Sequence, residues 1–227
     1  MSLIGRLQRV LVIAPHPDDE VLGCGGTMAR LADAGAEVFV AVVTRGCPPL
    51  FTAAQVATIR KEAHAAHALL GVRRTFYLDQ PAAQLQGVPH STLNDAIGAV
   101  LKETEPDTLL VPFIGDIHLD HQLIFTSSLV AARPHSARFP TTILSYETLS
   151  ETNWNAPHVT PSFMPDVFVD IGATLERKLQ AMSLYASQVR DAPHERSLAA
   201  VRALATLRGS TVHRTAAEAF ILVREVM

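Results

Sequence analysis

The sequence predicts an α/β protein: a Rossmann-like, three-layer fold with a mainly parallel sheet and a metal site at the C-terminal ends of the strands. Three observations carry that expectation. Strand-like and helix-like segments alternate along the chain. The strand segments at residues 10–14 and 38–43 are apolar without alternation, as in strands covered on both faces. Two loops that follow strands, around His16 and His118, are dense in His and Asp.

The elements follow in order. Residues 10–14 are β-branched and apolar, and Pro15 and Pro17 end them. Leu22, Met28, Leu31 and Ala32 have helical spacing, and Gly35 closes that helix. Residues 38–43 form the second strand and 44–49 a loop. Val56, Ile59, Ala63, Ala66 and Leu70 predict a helix over 55–70, with Gly71 as its C-cap. A short strand at 74–78 leads into a loop at 79–89. Residues 91–103 read as helix with Ser91 at its N-cap, 108–111 as strand, and 121–132 as helix. Strands at 142–146 and 167–171 flank a loop at 150–165, and helices follow at 174–186 and 195–207. Residues 219–223 fit either a strand or a helix. Loops as long as 79–89 and 150–165 often cover active sites. No repeat, charge block or linker divides the chain, so one domain over 1–227 is expected.

Composition narrows the class. The 227 residues, 48% of them apolar, suffice for a buried core without a staple. A formal charge of -3 gives no sign of a nucleic-acid or lipid-surface protein. Cys24 and Cys47 are too few for a disulfide scaffold. No apolar run approaches a membrane span. The acids after Pro17 come too soon for a signal-peptide core, so a cytoplasmic location is expected. A homo-oligomer is left open.

The chemistry lies in the two loops. His16 and Asp19, three residues apart across a proline turn, could converge on one ion, since imidazole and carboxylate both bind zinc. Asp18, between them, could take a proton from an attacking water. The second loop, from Gly115 to His121, supplies Asp116, His118, Asp120 and His121. A catalytic zinc needs about three protein ligands and an open position. The spare residues would then serve as base, acid or orienting carboxylate. The blander account is two polar helix starts with incidental histidines.

The stretch APHPDDEVLGCGG from Ala14 to Gly26 closely resembles the signature of the zinc-dependent N-acetyl-sugar deacetylases. That family includes the N-acetylglucosaminyl-phosphatidylinositol de-N-acetylase group and the deacetylases of mycothiol and bacillithiol synthesis. His118-Leu119-Asp120-His121 resembles its second motif, His-x-Asp-His. Arg60 in the helix ending Leu70-Gly71-Val72, the stretch from Lys178 to Gln188 with Tyr185, and the ending from Ala217 to Phe220 resemble later family features. The resemblance implies zinc held by His16, Asp19 and His121. It implies Asp18 as general base, and His118 as the residue that stabilises the oxyanion or protonates the leaving amine. Asp120 matches a carboxylate that orients a histidine, and Arg60 a residue that contacts substrate hydroxyls. The expected substrate is a small N-acetyl sugar or its conjugate, giving acetate and a free amine.

One departure stands out. Many members carry Thr-x-Gly-Glu after the second strand, where this chain has Thr44-Arg45-Gly46-Cys47. Trp154, in a polar loop, could stack on a sugar face or simply anchor the loop. His64 and His67, three apart in an alanine-rich helix, read as surface or packing residues rather than a second metal pair. The alternatives are an amidase for a non-sugar or antibiotic-type N-acyl conjugate, and an inactive sugar-binding homologue. A dinucleotide site is disfavoured, because Gly23, Gly25 and Gly26 come late and acids occupy the phosphate position.

Overall fold

A computed structural model describes residues 7–135 and 137–227; the first six residues of the expected domain and Ser136 lie outside the described residues. Seven strands form one sheet: β1 (Arg9–Ala14), β2 (Glu37–Arg45), β3 (Arg74–Pro81), β4 (Thr108–Val111), β5 (Thr142–Tyr146), β6 (Val167–Asp170) and β7 (Ala217–Glu225). Among the described residues six α-helices accompany them: α1 (Asp19–Asp33), α2 (Ala53–Leu70), α3 (His90–Thr104), α4 (Leu119–Ala131), α5 (Leu175–Leu184) and α6 (Leu198–Ser210). The strand order is β3-β2-β1-β4-β5-β7-β6. β1 to β5 run parallel, and β7 is antiparallel to both β5 and β6.

The apolar strands hide a period of two. Val10, Val12 and Ala14 of β1 and Val38, Val40 and Val42 of β2 join the layer that holds α1, α2, α5 and α6. Leu11, Ile13, Phe39, Ala41 and Val43 face the opposite layer, with α3 and α4. Helices on both faces make every strand position apolar, which is why the sequence shows no alternation.

Several boundaries differ from expectation. The ambiguous segment 219–223 is strand, because β7 fills the gap between β5 and β6. The expected loop at 79–89 is shorter, since β3 runs to Pro81 and a 3-10 turn covers Leu85–Gly87. Ser91 is not the cap of α3, which begins at His90 behind Pro89. α6 starts at Leu198, where the Ser197 side chain accepts from the Ala200 N–H. Gly71 does close α2, at φ 78.

α1 carries the site acids, and the core fixes it tightly. A Cβ on Gly23 would lie 2.3 Å from the Tyr146 ring, and one on Gly26 2.7 Å from Ile171. These glycines let the helix approach the sheet. Midway along α1, Leu22 C=O accepts from Lys178 Nζ at 2.7 Å, while Gly26 and Thr27 N–H donate to Glu218 at 2.9 and 2.7 Å. Lys178 and Glu218 are themselves paired at 2.6 Å. The buried pair thus ties α1 to α5 and β7.

Candidate metal centre and active site

In an open parallel sheet, ligands bind where the strand order reverses, outside the C-terminal strand ends. Here that crevice lies between β1 and β4, whose chain neighbours leave in opposite directions along the sheet. Both His/Asp loops open onto it: His16 follows β1, and His118 and His121 follow β4.

The side chains converge. His16 Nδ1 and His121 Nε2 each stand 3.2 Å from Asp19 Oδ2. Ligand atoms of His16, Asp19 and His121 lie within 4.8 Å of one another, an arrangement able to hold a metal ion. The cluster presents donor atoms of the kind a cation binds. His121 Nε2 and Asp19 Oδ1 are buried and have no hydrogen-bond partner among the described residues. Leaving such atoms bare is costly, whereas a divalent ion satisfies a lone pair on each. His, Asp, His is a zinc-type donor set. His16, His118 and Asp120 form a second close group that shares His16.

Carboxylates hold the far sides of both rings. Asp116 Oδ2 is 2.8 Å from His121 Nδ1, and Thr152 Oγ1 donates to Asp116 Oδ1 at 2.6 Å. Asp120 Oδ2 is 3.1 Å from His16 Nε2, and it also accepts from the Ala83 N–H at 2.7 Å. Each ring thus turns one nitrogen toward Asp19 and the other toward an orienting carboxylate.

Charge follows this geometry. Burial alone would lower His16, but Asp120 and Asp19 outweigh it and raise its pKa to about 9. Burial likewise opposes His121, whose pKa Asp19 and Asp116 raise to about 10. Burial resists ionisation of Asp19, yet His121 and His16 hold its carboxyl well below the usual range. Burial, reinforced by His16, lowers His118 to about 4, so its ring is neutral near pH 7. His118 Nδ1 accepts the Asp120 N–H at 3.1 Å, which leaves the ring proton on Nε2.

Asp18 is 1% exposed and is the N-cap residue of α1. Its backbone has φ 110, a conformation costing a residue with a side chain about 1–3 kcal/mol. Burial pushes its pKa up to about 8, against the pull of Arg196. Arg196 Nη1 lies 3.1 Å from Asp18 Oδ2, and Arg196 Nε donates to Ser150 Oγ at 2.9 Å.

The remaining expected residues sit outside this cluster. Arg60 pairs with Asp79 and lies over the Tyr77 ring, 4.6 Å from its centroid. Trp154 is 62% exposed, and its Nε1–H donates to Glu195 at 2.5 Å. It lies on the turn that Thr152 pins to Asp116. Cys24 is buried and Cys47 is partly exposed. Neither belongs to the metal-capable groups found among the described residues.

Sequence reasoning missed two residues here. Asp116 was visible in the second loop, but its spacing did not reveal that it holds His121. Arg196 gave no signal at all, because a lone arginine before a helix carries none; only the folded chain brings it to Asp18.

A largely buried His/Asp/His cluster at the switch point of a doubly covered sheet, together with a match to a de-N-acetylase family, marks a metal-dependent hydrolase of the deacetylase type. The chain belongs to the GlcNAc-PI de-N-acetylase (PIG-L) family, whose profile matches residues 11–132. Among its relatives, the uncharacterized deacetylase YaiS of Escherichia coli is 30% identical over 75% of this chain and 86% of its own length. The diacetylchitobiose deacetylase of Thermococcus kodakarensis is 28% identical over 80% of this chain and 70% of its own. The conserved protein TT1542 of Thermus thermophilus has a solved structure that superposes with a TM-score of 0.79 at 25% identity, covering 97% of both chains. Among the described residues, no helix is long and apolar enough to cross a membrane.

Proposed function

We propose that this protein removes the acetyl group from an N-acetylated amino sugar or a conjugate of one. Water adds to the acetyl carbon, the C–N bond breaks, and acetate and a free amine leave. The observation that carries the reading is the convergence of His16, Asp19 and His121 beside a buried, proton-accepting Asp18. Relatives that act on acetylated sugars support the sugar as substrate.

His16 through Nδ1, Asp19, and His121 through Nε2 would hold the metal. When bound, zinc acts as a Lewis acid that activates water and polarises the acetyl carbonyl. Asp18 takes the proton from the attacking water. Arg196 beside it favours the ionised carboxylate that this step needs. His118, neutral near pH 7 and with Nδ1 taken by the Asp120 N–H, keeps an Nε2–H to donate to the charge that develops on the carbonyl oxygen. The proton on Asp18 is then available to the departing amine. Asp116 and Asp120 fix the two ligand rings. Arg60 and Trp154 are proposed substrate contacts beside this core.

The test is acetate release by zinc-loaded protein across N-acetylglucosamine, N,N'-diacetylchitobiose, N-acetylglucosaminides and nucleotide sugars. Turnover confined to non-sugar N-acyl amides would transfer the reading to the amidase alternative. No acetate from any compound would overturn it.

Two expected outcomes bear on individual residues. His118→Ala should keep its zinc and lose kcat and kcat/KM together, because its contact forms only in the transition state. A defect confined to KM in steady-state kinetics would remove that role. Asp116→Asn should lower zinc affinity or activity by roughly 10–100-fold, the usual cost of losing the partner of a ligating histidine. A competition titration against a chelator reads the affinity arm.

A further inference from the structure

Behind the site lies a buried polar chain that neither the metal nor the reacting groups account for. Glu20 is 0% exposed, Tyr185 0% and His67 3%. Tyr185 OH donates to Glu20 Oε1 at 2.5 Å. His67 Nε2 lies 3.0 Å from the same oxygen, and His67 Nδ1 lies 2.7 Å from Thr75 Oγ1. A Thr75 hydroxyl donating to Nδ1 leaves the proton on Nε2, directed at Glu20. The other oxygen, Glu20 Oε2, accepts the Asp18 backbone N–H at 3.1 Å.

The chain draws on α1, α2, β3 and the residue that follows α5. It ends on the residue with the least favoured backbone in the site, Asp18 at φ 110. A buried carboxylate needs donors to offset its lost hydration, and packing alone would be served as well by an apolar side chain. Three donors converge on this carboxylate, and one of them is the Asp18 amide.

We propose that Glu20, anchored by Tyr185 and His67, is a positioning residue that holds Asp18 in its working conformation. Glu20 grips the backbone while Arg196 grips the carboxylate. The catalytic consequence rests on the reading of Asp18 as proton acceptor. Releasing the Asp18 amide lets its peptide relax toward negative φ, which swings the carboxylate away from the attacking water. His67 and Tyr185 thereby gain a role beyond packing.

The experiment compares zinc-loaded wild type, Tyr185→Phe, Glu20→Gln, Asp18→Asn and the double variant Tyr185→Phe/Asp18→Asn. The assay compound is whichever N-acetyl sugar the wild type turns over fastest. Tyr185→Phe and Glu20→Gln should keep zinc content and KM, and lose kcat by roughly ten- to a hundredfold, the effect of a small misplacement. The double variant should be no slower than Asp18→Asn, since both changes act through one group. Hydrogen exchange at the Asp18 amide should quicken in both single variants. A lower Tm with unchanged kcat per folded, zinc-loaded molecule would overturn the proposal. So would losses that multiply in the double variant. If Asp18→Asn keeps its turnover, it is the proton-acceptor reading that fails. Amide exchange then decides positioning by itself: faster exchange supports it and unchanged exchange overturns it. Should Glu20→Gln fail to fold, His67→Gln takes its place.

Discussion

Replacing Asp18 by asparagine is expected to leave zinc bound and lower kcat by roughly 10²–10⁴, the usual contribution of a positioned general base. The substitution preserves size and the backbone bond to Glu20, while an amide cannot accept a proton from water. The zinc should stay, because Asp18 is not among the atoms that converge on Asp19. The pH profile supplies a second reading. Asp18 works only when ionised, so the wild-type rate should rise with pH through its titration. Burial raises that pKa to about 8 against Arg196, and a bound cation would move it lower. The acid limb of kcat/KM should therefore fall below pH 8, and Asp18→Asn should lose it. A zinc-replete Asp18→Asn enzyme with near-normal turnover and an unchanged acid limb would remove Asp18 from the mechanism.

The parts of this molecule that were legible in its sequence are those whose cause is local. The run Val10 to Ala14 ends at a proline turn, and that turn sets His16 and Asp19 three residues apart. Helix closure at Gly71 follows from the left-handed conformation that glycine adopts without cost. β7 was ambiguous because five apolar residues suit either element, and only its place between β5 and β6 decides. The start of α6 was misplaced by three residues because a strong cap, Ser197, outweighed the earlier polar residues. The metal-capable cluster of His16, Asp19 and His121 was legible because two short segments carry all three. Arg196 was not, because its partner Asp18 lies 178 residues away. Glu218 and Lys178 show the same limit: each stands in a segment whose sequence resembles the family's, and only the fold shows that they bind the backbone of α1.

His121→Ala is expected to cost metal and turnover together. The residue is buried, supplies one of the three convergent donors, and holds Asp116 Oδ2 at 2.8 Å. Two ligands remain, one of them on a histidine that is 23% exposed, so zinc should be lost on dialysis and activity with it. Excess zinc should restore part of the activity, which separates a lost ligand from a misfolded site. Protons give an independent measure. Before zinc binds, carboxylates hold His16 up to about 9 and His121 up to about 10, so both rings are protonated at pH 7. Zinc takes neutral imidazole, so its uptake at pH 7 must expel about two protons from these two rings, beside the proton that Asp18 gives up as the cation lowers its pKa. Apparent affinity should therefore climb as pH rises toward 9 and weaken as pH falls. In His121→Ala about one proton fewer should be released, because His16 is then the only ligand ring left to discharge. Calorimetry in buffers of different ionisation enthalpy counts those protons directly. Equal zinc content in wild type and variant, or an unchanged proton count, would exclude His121 from the ligand set.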